Sequence, residues 1–362
     1  MAASATVLET TFIGSPVPAT AEAPLCRSDA GPSGAQIVVE IVILAVVSCL
    51  GVFGNALVIA AVAITPSLCT TANYFIFGLA CVDLVNSGIL APIFIFTLVE
   101  GNWPHEDTYC KVVGYMTIFC LATSESALIC LAGTRYLIVT KPKDIFARYF
   151  KAKFVVVYII IFLIFQLTIL FLPLWSDIGN VGFSHVNSHC TFVICDRKDW
   201  YYPLILFLFC MVINLGIIPT FYLLTFRTVA KSKRAVKALQ ALQGTAQDRH
   251  VICLSPQEVQ LTKKLLLLFL VFMVCWFPYS IAIFADGWQT VPPLVHQVTN
   301  LLIWLSAGLN PYIYAFRIRN FRKAFRRILL LPWRKCHFRR PRGASASENL
   351  GTSMVDRHES HP

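Results

Sequence analysis

The sequence predicts an all-α membrane protein, a bundle of seven transmembrane helices followed by a short amphipathic helix on the cytoplasmic face. Three observations carry this. Of the 362 residues, 57% are hydrophobic and only 14% are charged, whereas a soluble domain carries about 25% charged residues. Seven apolar stretches each reach the roughly 20 residues that a bilayer span needs. Lysine and arginine also fall almost wholly on one side of those stretches, which sets orientation.

In chain order the spans cover about residues 36–64, 72–99, 108–139, 153–175, 201–229, 259–285 and 293–316. Residues 1–35 precede them, and "MAASATVLETTFIGSPVPATAEAPL" lacks the basic region and compact apolar core of a cleavable signal peptide. It also lacks an N-x-Ser/Thr sequon, so this segment reads as a disordered tail.

An odd number of spans puts the termini on opposite sides. Arg27, Lys111, Arg197 and Lys198 lie on one side; the rest of the 30 basic residues cluster near 135–153, 227–264 and 317–357 on the other. The expectation is a multi-pass plasma-membrane protein with its N-terminus outside. The net charge of +11 then reflects topology and attraction to membrane lipids, and implies no nucleic acid. Most of the 13 cysteines, such as Cys49, Cys120 and Cys275, sit in apolar runs and read as small buried hydrophobes.

After the seventh span, "RIRNFRKAFRRILLLPW" places Phe321, Phe325, Ile328 and Leu329 at spacings of three and four between basic residues. This marks residues 317–331 as a helix lying on the membrane surface. Cys336 just beyond is a candidate palmitoylation site. Residues 332–362 read as a disordered cytoplasmic tail, with Ser345, Ser347 and Ser353 as candidate phosphosites.

Polar and helix-breaking residues inside spans carry the chemistry, because each must be satisfied internally. They are Asn55 in "GVFGNALVI", Asp83 in "GLACVDLV", Glu125 in "ATSESALI", Arg135 in "CLAGTRYLIVTKP", Pro219, Pro278 in "CWFPY", and Asn310 with Pro311 in "GLNPYIY". As an ordered set they resemble the class A, rhodopsin-like G-protein-coupled receptors over about residues 36–330.

That resemblance implies a receptor for an extracellular small-molecule ligand, coupled to a heterotrimeric G protein, with arrestin and receptor kinases as further partners. Inhibitory-type coupling is expected on the same ground. No cofactor or metal is expected beyond an allosteric sodium ion near Asp83, Asn55 and Asn310. Trp276, Phe272 and Pro278 resemble the helix-six switch. Asn310, Pro311 and Tyr314 resemble the helix-seven motif whose tyrosine moves on activation. Arg135 and Tyr136 resemble the helix-three motif that meets the G protein, and Glu258 resembles the helix-six acid that pairs with the arginine.

Thr134 departs from the pattern, since most relatives place an aspartate there. Either Glu258 restrains Arg135 or basal activity is raised. Arg227 stands where the family has a tyrosine, and the fourth span lacks its usual tryptophan. The resemblance also implies a disulfide from Cys110 to the loop before helix five, where Cys190 and Cys195 both qualify. Cys190 is favoured because "HCTF" resembles melatonin receptors; Cys195 then pairs with Cys26 or stays free.

Thr117 stands where amine receptors carry an aspartate, and Trp304 stands at the level of the lysine that binds retinal. A non-amine, lipophilic ligand is expected, lined by Tyr115, Thr117, Ile118, Leu121, Trp276, Tyr279, Ile283, Asn300 and Trp304. Local strings such as "KPKDIF" and "CDRKDW" resemble the medium-chain fatty-acid receptor and its Moody-type relatives, which would let Arg197 or Lys198 meet a carboxylate. Glu125 is expected either as a buried acid bonded to Asn214 or Ser126, or as a pH-linked switch.

No internal repeat of the transporter kind, phosphate loop, HExxH motif or nucleophile elbow is found. The chain is therefore not expected to be an enzyme. A transporter, or a receptor-like decoy or scaffold that binds without coupling, are the alternatives.

Overall fold

The computed structural model describes residues 34–140, 160, 163–242, 256–286 and 291–337. Among them, five helices are long and apolar enough to cross a membrane. These belong to α1 (Gly34–Ile64), α2 (Thr71–Glu100), α3 (Asp107–Thr140), α5 (Arg197–Leu242) and α6 (Pro256–Asp286). α4 is described over residues 163–170 and a further turn, Leu172–Trp175.

The seventh, α7 (Pro293–Arg317), falls short on apolarity because it buries His296, Gln297, Thr299, Asn300 and Ser306. These polar groups sit inside the protein, where neighbours can satisfy them, and would be costly against lipid. α8 (Arg319–His337) follows after one break at Ile318.

Two helices contain wide turns, each just ahead of a proline that has no N–H to give. In α2 the turn is Asn86–Leu90, before Pro92. α5 runs Arg197–Met211, widens at Val212–Ile217 before Pro219, and continues as Ile218–Leu242. Asp196 starts α5 with a reciprocal cap: its carboxylate accepts from Asp199 N at 3.0 Å, and Asp199 accepts from Asp196 N at 3.2 Å. That arrangement satisfies donors that helix geometry leaves open.

One end of the bundle carries a hairpin, β1 (Val181–Ser184) paired antiparallel with β2 (His189–Phe192), with Val181 opposite Phe192 and Ser184 opposite His189. The hairpin lies tight on α3 at Gly114, where a Cβ would meet Val181 and the Cys190 backbone. A disulfide joins Cys110 to Cys190 beside it, Cα to Cα 5.3 Å. Thr97 Oγ1 of α2 donates to Ser188 O at 2.7 Å and holds the turn from the other side. The hairpin is thus a fixed lid over α3.

The opposite, basic end is packed by apolar residues of α1, α2, α3, α5, α6, α7 and α8. Phe321 of α8 is fully buried and meets the Tyr314 ring at 5.5 Å. Phe325 is buried and Ile328 packs on the same core, while Leu329 is 48% exposed. α8 therefore anchors inward through its first two turns and leaves Leu329 on its outer surface.

Candidate functional site

The bundle centre holds a polar cluster built from α1, α2 and α7. Asn310 Nδ2 donates to Asp83 Oδ2 at 2.7 Å, and both Asp83 and Asn55 are buried. Asn55 does not join the acid. Its Nδ2 donates to the carbonyls of Gly51 at 3.0 Å and Ala307 at 3.2 Å, clamping α1 to α7. Gly54 allows this approach, because a Cβ there would meet Pro311 at 2.8 Å.

A cavity of about 20 Å³, lined by Asp83, Asn86, Ser124, Trp304 and Ser306 among others, opens beside the acid. That is room for about one water-sized species. A carboxylate with amide and hydroxyl oxygens is the donor chemistry a hard cation takes.

Trp276 of α6 forms one wall of that cavity. Its indole N–H donates to Ser306 Oγ at 3.0 Å, and Phe272, one turn along, stacks on it at 5.3 Å. Trp276 also forms part of the wall of a second, larger cavity of about 120 Å³ between α3, α4, α5 and α6. Trp276, with Leu121 of α3, therefore separates the two.

The larger cavity is lined by Ile118, Leu121, Tyr279 and Ile283 of the expected set, together with Phe272. The other expected residues lie elsewhere. Thr117 and Trp304 line the smaller cavities, and Trp304 stacks on Phe94 at 5.7 Å. Asn300 donates to Asn187 Oδ1 of the hairpin turn at 3.3 Å. Tyr115 packs against Phe171 at 5.6 Å. Arg197, the first residue of α5, is exposed. Phe192 of the hairpin projects into the larger cavity's lining, so the lid displaces the site away from α7 and toward α4.

Three buried polar side chains line this cavity: Glu125, Gln166 and Asn214. Asn214 Nδ2 donates to Glu125 Oε1 and to Cys210 O, and the Cys210 thiol donates to Glu125 Oε2 at 3.3 Å. Ser126 instead donates to Ala122 O in its own helix. Gln166 Nε2 reaches Thr123 Oγ1 at 3.3 Å and Phe119 O at 3.4 Å. Gln166 was not expected, although a lone amide in the apolar run "IIIFLIFQLTILFLPLW" carries the cost that marks a working residue.

At the basic end Arg135 and Thr134 are both buried in α3. The Thr134 hydroxyl makes no hydrogen bond among the described residues, so it does not hold the guanidinium. Tyr136 packs on Phe221 of α5 at 5.6 Å. Tyr314 is buried with its hydroxyl unbonded among the described residues. Pro278 and Pro311 lie within α6 and α7. The side chains of Glu258 and Cys336, and all of Cys26, lie outside the described residues.

Beneath the hairpin a second polar group forms. His296 is fully buried and its Nε2 lies 3.3 Å from Asp286 Oδ1. His189 is buried against the Phe94 ring at 4.7 Å, and its Nδ1 lies 2.7 Å from Asn187 O. Burial, with a smaller effect from His296, pushes the His189 imidazole down to about 4, and the bond to Asn187 only partly offsets this. Cys195, between the hairpin and α5, is also disulfide-bonded.

Comparison with known proteins gives a consistent answer. The family described as "7 transmembrane receptor (rhodopsin family)" matches residues 54–314. Melanopsin-B of Gadus morhua is 28% identical over 293 residues, which are 78% of this chain and 46% of that protein, so the chain spans under half of it. The allatostatin-A receptor of Bombyx mori is 25% identical over 291 residues, 78% of this chain and 77% of the receptor. The crystal structure of squid rhodopsin superposes with a TM-score of 0.74 at 21% identity, covering 86% of this chain and 89% of that one.

Proposed function

The chain belongs to the rhodopsin family of seven-transmembrane receptors, and from that premise we propose that it binds a lipophilic, non-amine ligand and passes the signal to a heterotrimeric G protein. It is a receptor and not an enzyme. The observation that carries the ligand reading is the position of Trp276, shared between the larger cavity and the Asp83 cavity. Whatever fills the first presses on the ring that, through Ser306, is bonded to α7.

The physical chain of events follows from that bond. An occupant that moves the indole changes the cost of keeping α6 and α7 together, and a ligand shifts an equilibrium only by such a difference between two states. Pro278 removes one backbone bond from α6 and lets it bend there. At the far end Arg135 is the residue taken by the G protein in this reading. Thr134 gives it no hydrogen bond, so in this reading its restraint falls to other groups, Glu258 among them. Arrestin and receptor kinases act on the basic side, with α8 against anionic lipid and Cys336 as its lipid anchor.

Asp83, Ser124 and Ser306 line that cavity and are the oxygen donors that would hold a sodium ion, with Asn310 fixing the carboxylate by its donated bond. The ion would supply a positive charge opposite the carboxylate; Asn55 would act from a distance, by holding α1 to α7.

The amine receptors' acid is absent at Thr117, and Arg197 is exposed on the first turn of α5. These support a non-amine ligand held by the cavity walls more than by a surface ion pair. The test is nucleotide exchange on each of the four G-protein alpha families, comparing the full chain with Arg135→Ala at equal amounts in membranes. Exchange on the inhibitory family, abolished by the substitution, is the expected result. Exchange on no family, with or without ligand, would favour the non-coupling decoy.

A further inference from the structure

The larger cavity carries information about the head group of its occupant. Its walls are largely apolar, contributed by Ile118, Leu206, Phe207 and Phe272 among others, which suits a lipophilic body. Its polar groups do not cancel one another. Gln166 Oε1 and Asn214 Oδ1 are both buried and make no hydrogen bond among the described residues. Each lies on a side chain that lines the cavity. Both side chains are more than nine-tenths buried.

A buried acceptor without a donor costs free energy that an incoming donor would recover. The Glu125 carboxyl is already engaged on both oxygens, by Asn214 and by Cys210. The open positions in the cavity are thus two neutral amide oxygens, that of Asn214 beside an occupied acid.

We infer that the cavity takes a lipophilic molecule whose head group is a neutral hydroxyl, donating to Gln166 Oε1; Asn214 Oδ1, beside Glu125, is the second open acceptor. A carboxylate head fits badly, since it brings further acceptors against Glu125 and two unfilled carbonyl oxygens. An ammonium head fits less well than a hydroxyl. Its charge would be desolvated against an acid that already accepts two hydrogen bonds, and its remaining protons would face apolar walls. A hydroxyl needs one acceptor and carries no charge. This reading departs from a fatty-acid ligand met by Arg197 or Lys198. It rests on the receptor reading for the claim that the occupant controls signalling, and on the cavity alone for the claim about chemistry.

The test uses the full chain in lipid nanodiscs with three probes of one chain length: octanol, octanoate and octylammonium. Binding is read by thermal shift and by quenching of tryptophan fluorescence. Octanol is expected to bind best, and Gln166→Leu is expected to weaken octanol about tenfold, the value of one ordinary hydrogen bond. Asn214→Leu should act alike, but it also strips Glu125 of a donor. Gln166→Leu touches no partner of Glu125 and keeps the test valid if the Asn214 variant fails to fold.

Preference for octanoate or octylammonium, equal binding of all three, binding of none, or an unchanged octanol affinity in Gln166→Leu would each overturn the inference. Nucleotide exchange in the same nanodiscs separates it from the receptor reading. Selective octanol binding with no exchange on any alpha family sinks the receptor reading alone. Exchange driven by other ligands, without head-group selectivity, sinks this inference alone.

Discussion

The indole N–H of Trp276 donates to Ser306 Oγ at 3.0 Å, and this bond spans the seam between α6 and α7 at the wall between the two cavities. It is a hydrogen-bonded link from the cavity wall to the helix that carries Asn310 and Tyr314. Ser306→Ala keeps the shape of the seam and removes the acceptor. The half-buried N–H then loses about 1 kcal/mol of stabilisation in the bonded state, enough to shift a two-state balance several-fold. Basal nucleotide exchange should rise several-fold in Ser306→Ala over the wild type at equal expression. Unchanged exchange would mean that the bond does not separate the two states.

The Asp83–Asn310 bond supports a prediction about ions. If the neighbouring oxygens hold sodium, the wild type should melt higher in sodium chloride than in choline chloride at the same ionic strength. Asp83→Asn removes the charge and keeps the volume, so the difference between the salts should vanish. A salt difference that survives in Asp83→Asn would place the ion elsewhere. Asn55→Ala, by contrast, should lower stability in both salts equally, because Asn55 bonds backbone carbonyls of α1 and α7.

His189 sets a direction for pH. Its imidazole is held near 4 in the fold, below an ordinary value of about 6.5. Between those values the unfolded chain binds more protons than the folded one, so stability rises with pH. The contribution is complete above about pH 6.5 and is lost progressively as pH falls toward 4, by about 2 kcal/mol at pH 5. The facing groups are His296 and, beyond it, Asp286. Thermal unfolding measured at pH 7 and pH 5 should show a drop that His189→Gln reduces. An equal drop in the variant would assign the acid sensitivity to other groups.

The helices were legible because a bilayer leaves few ways to satisfy a backbone, and runs of apolar residues must then be spans. The polar centre was legible as residues but not as bonds. Asn55 shares a level with Asp83 yet faces α7, a matter of helix rotation that spacing along one chain does not encode. The lining of the larger cavity was half legible. Ile118, Leu121, Trp276, Tyr279 and Ile283 line it, whereas Asn300 and Trp304 are taken up by the hairpin turn and by Phe94. What the sequence withheld was the path of the hairpin, whose Phe192 enters the site from a loop more than 60 residues past the α3 residues it faces. The α4 wall, with Gln166, carried a signal in its lone amide that the apolar run around it concealed.

The second disulfide follows from the cysteines themselves. Cys195 is disulfide-bonded, and Cys110 with Cys190 forms a separate pair. Seven further cysteines are free, which leaves Cys26, Cys253 and Cys336 of the 13. Cys253 and Cys336 belong to the segments rich in lysine and arginine, which the proposed orientation puts in the cytosol, where thiols are kept reduced. Cys26 alone shares the hairpin's side by the charge asymmetry, and it is the expected partner. A link across 169 positions of chain closes a long loop and constrains the unfolded state most, here joining the tail before α1 to the start of α5. Peptide mass spectrometry without reduction should find Cys26 and Cys195 in one cross-linked peptide pair. Cys26→Ser should expose one new reactive thiol at Cys195 while leaving the Cys110–Cys190 pair intact. Finding Cys195 joined to any other cysteine would reject the assignment and, with it, the orientation that places both segments outside.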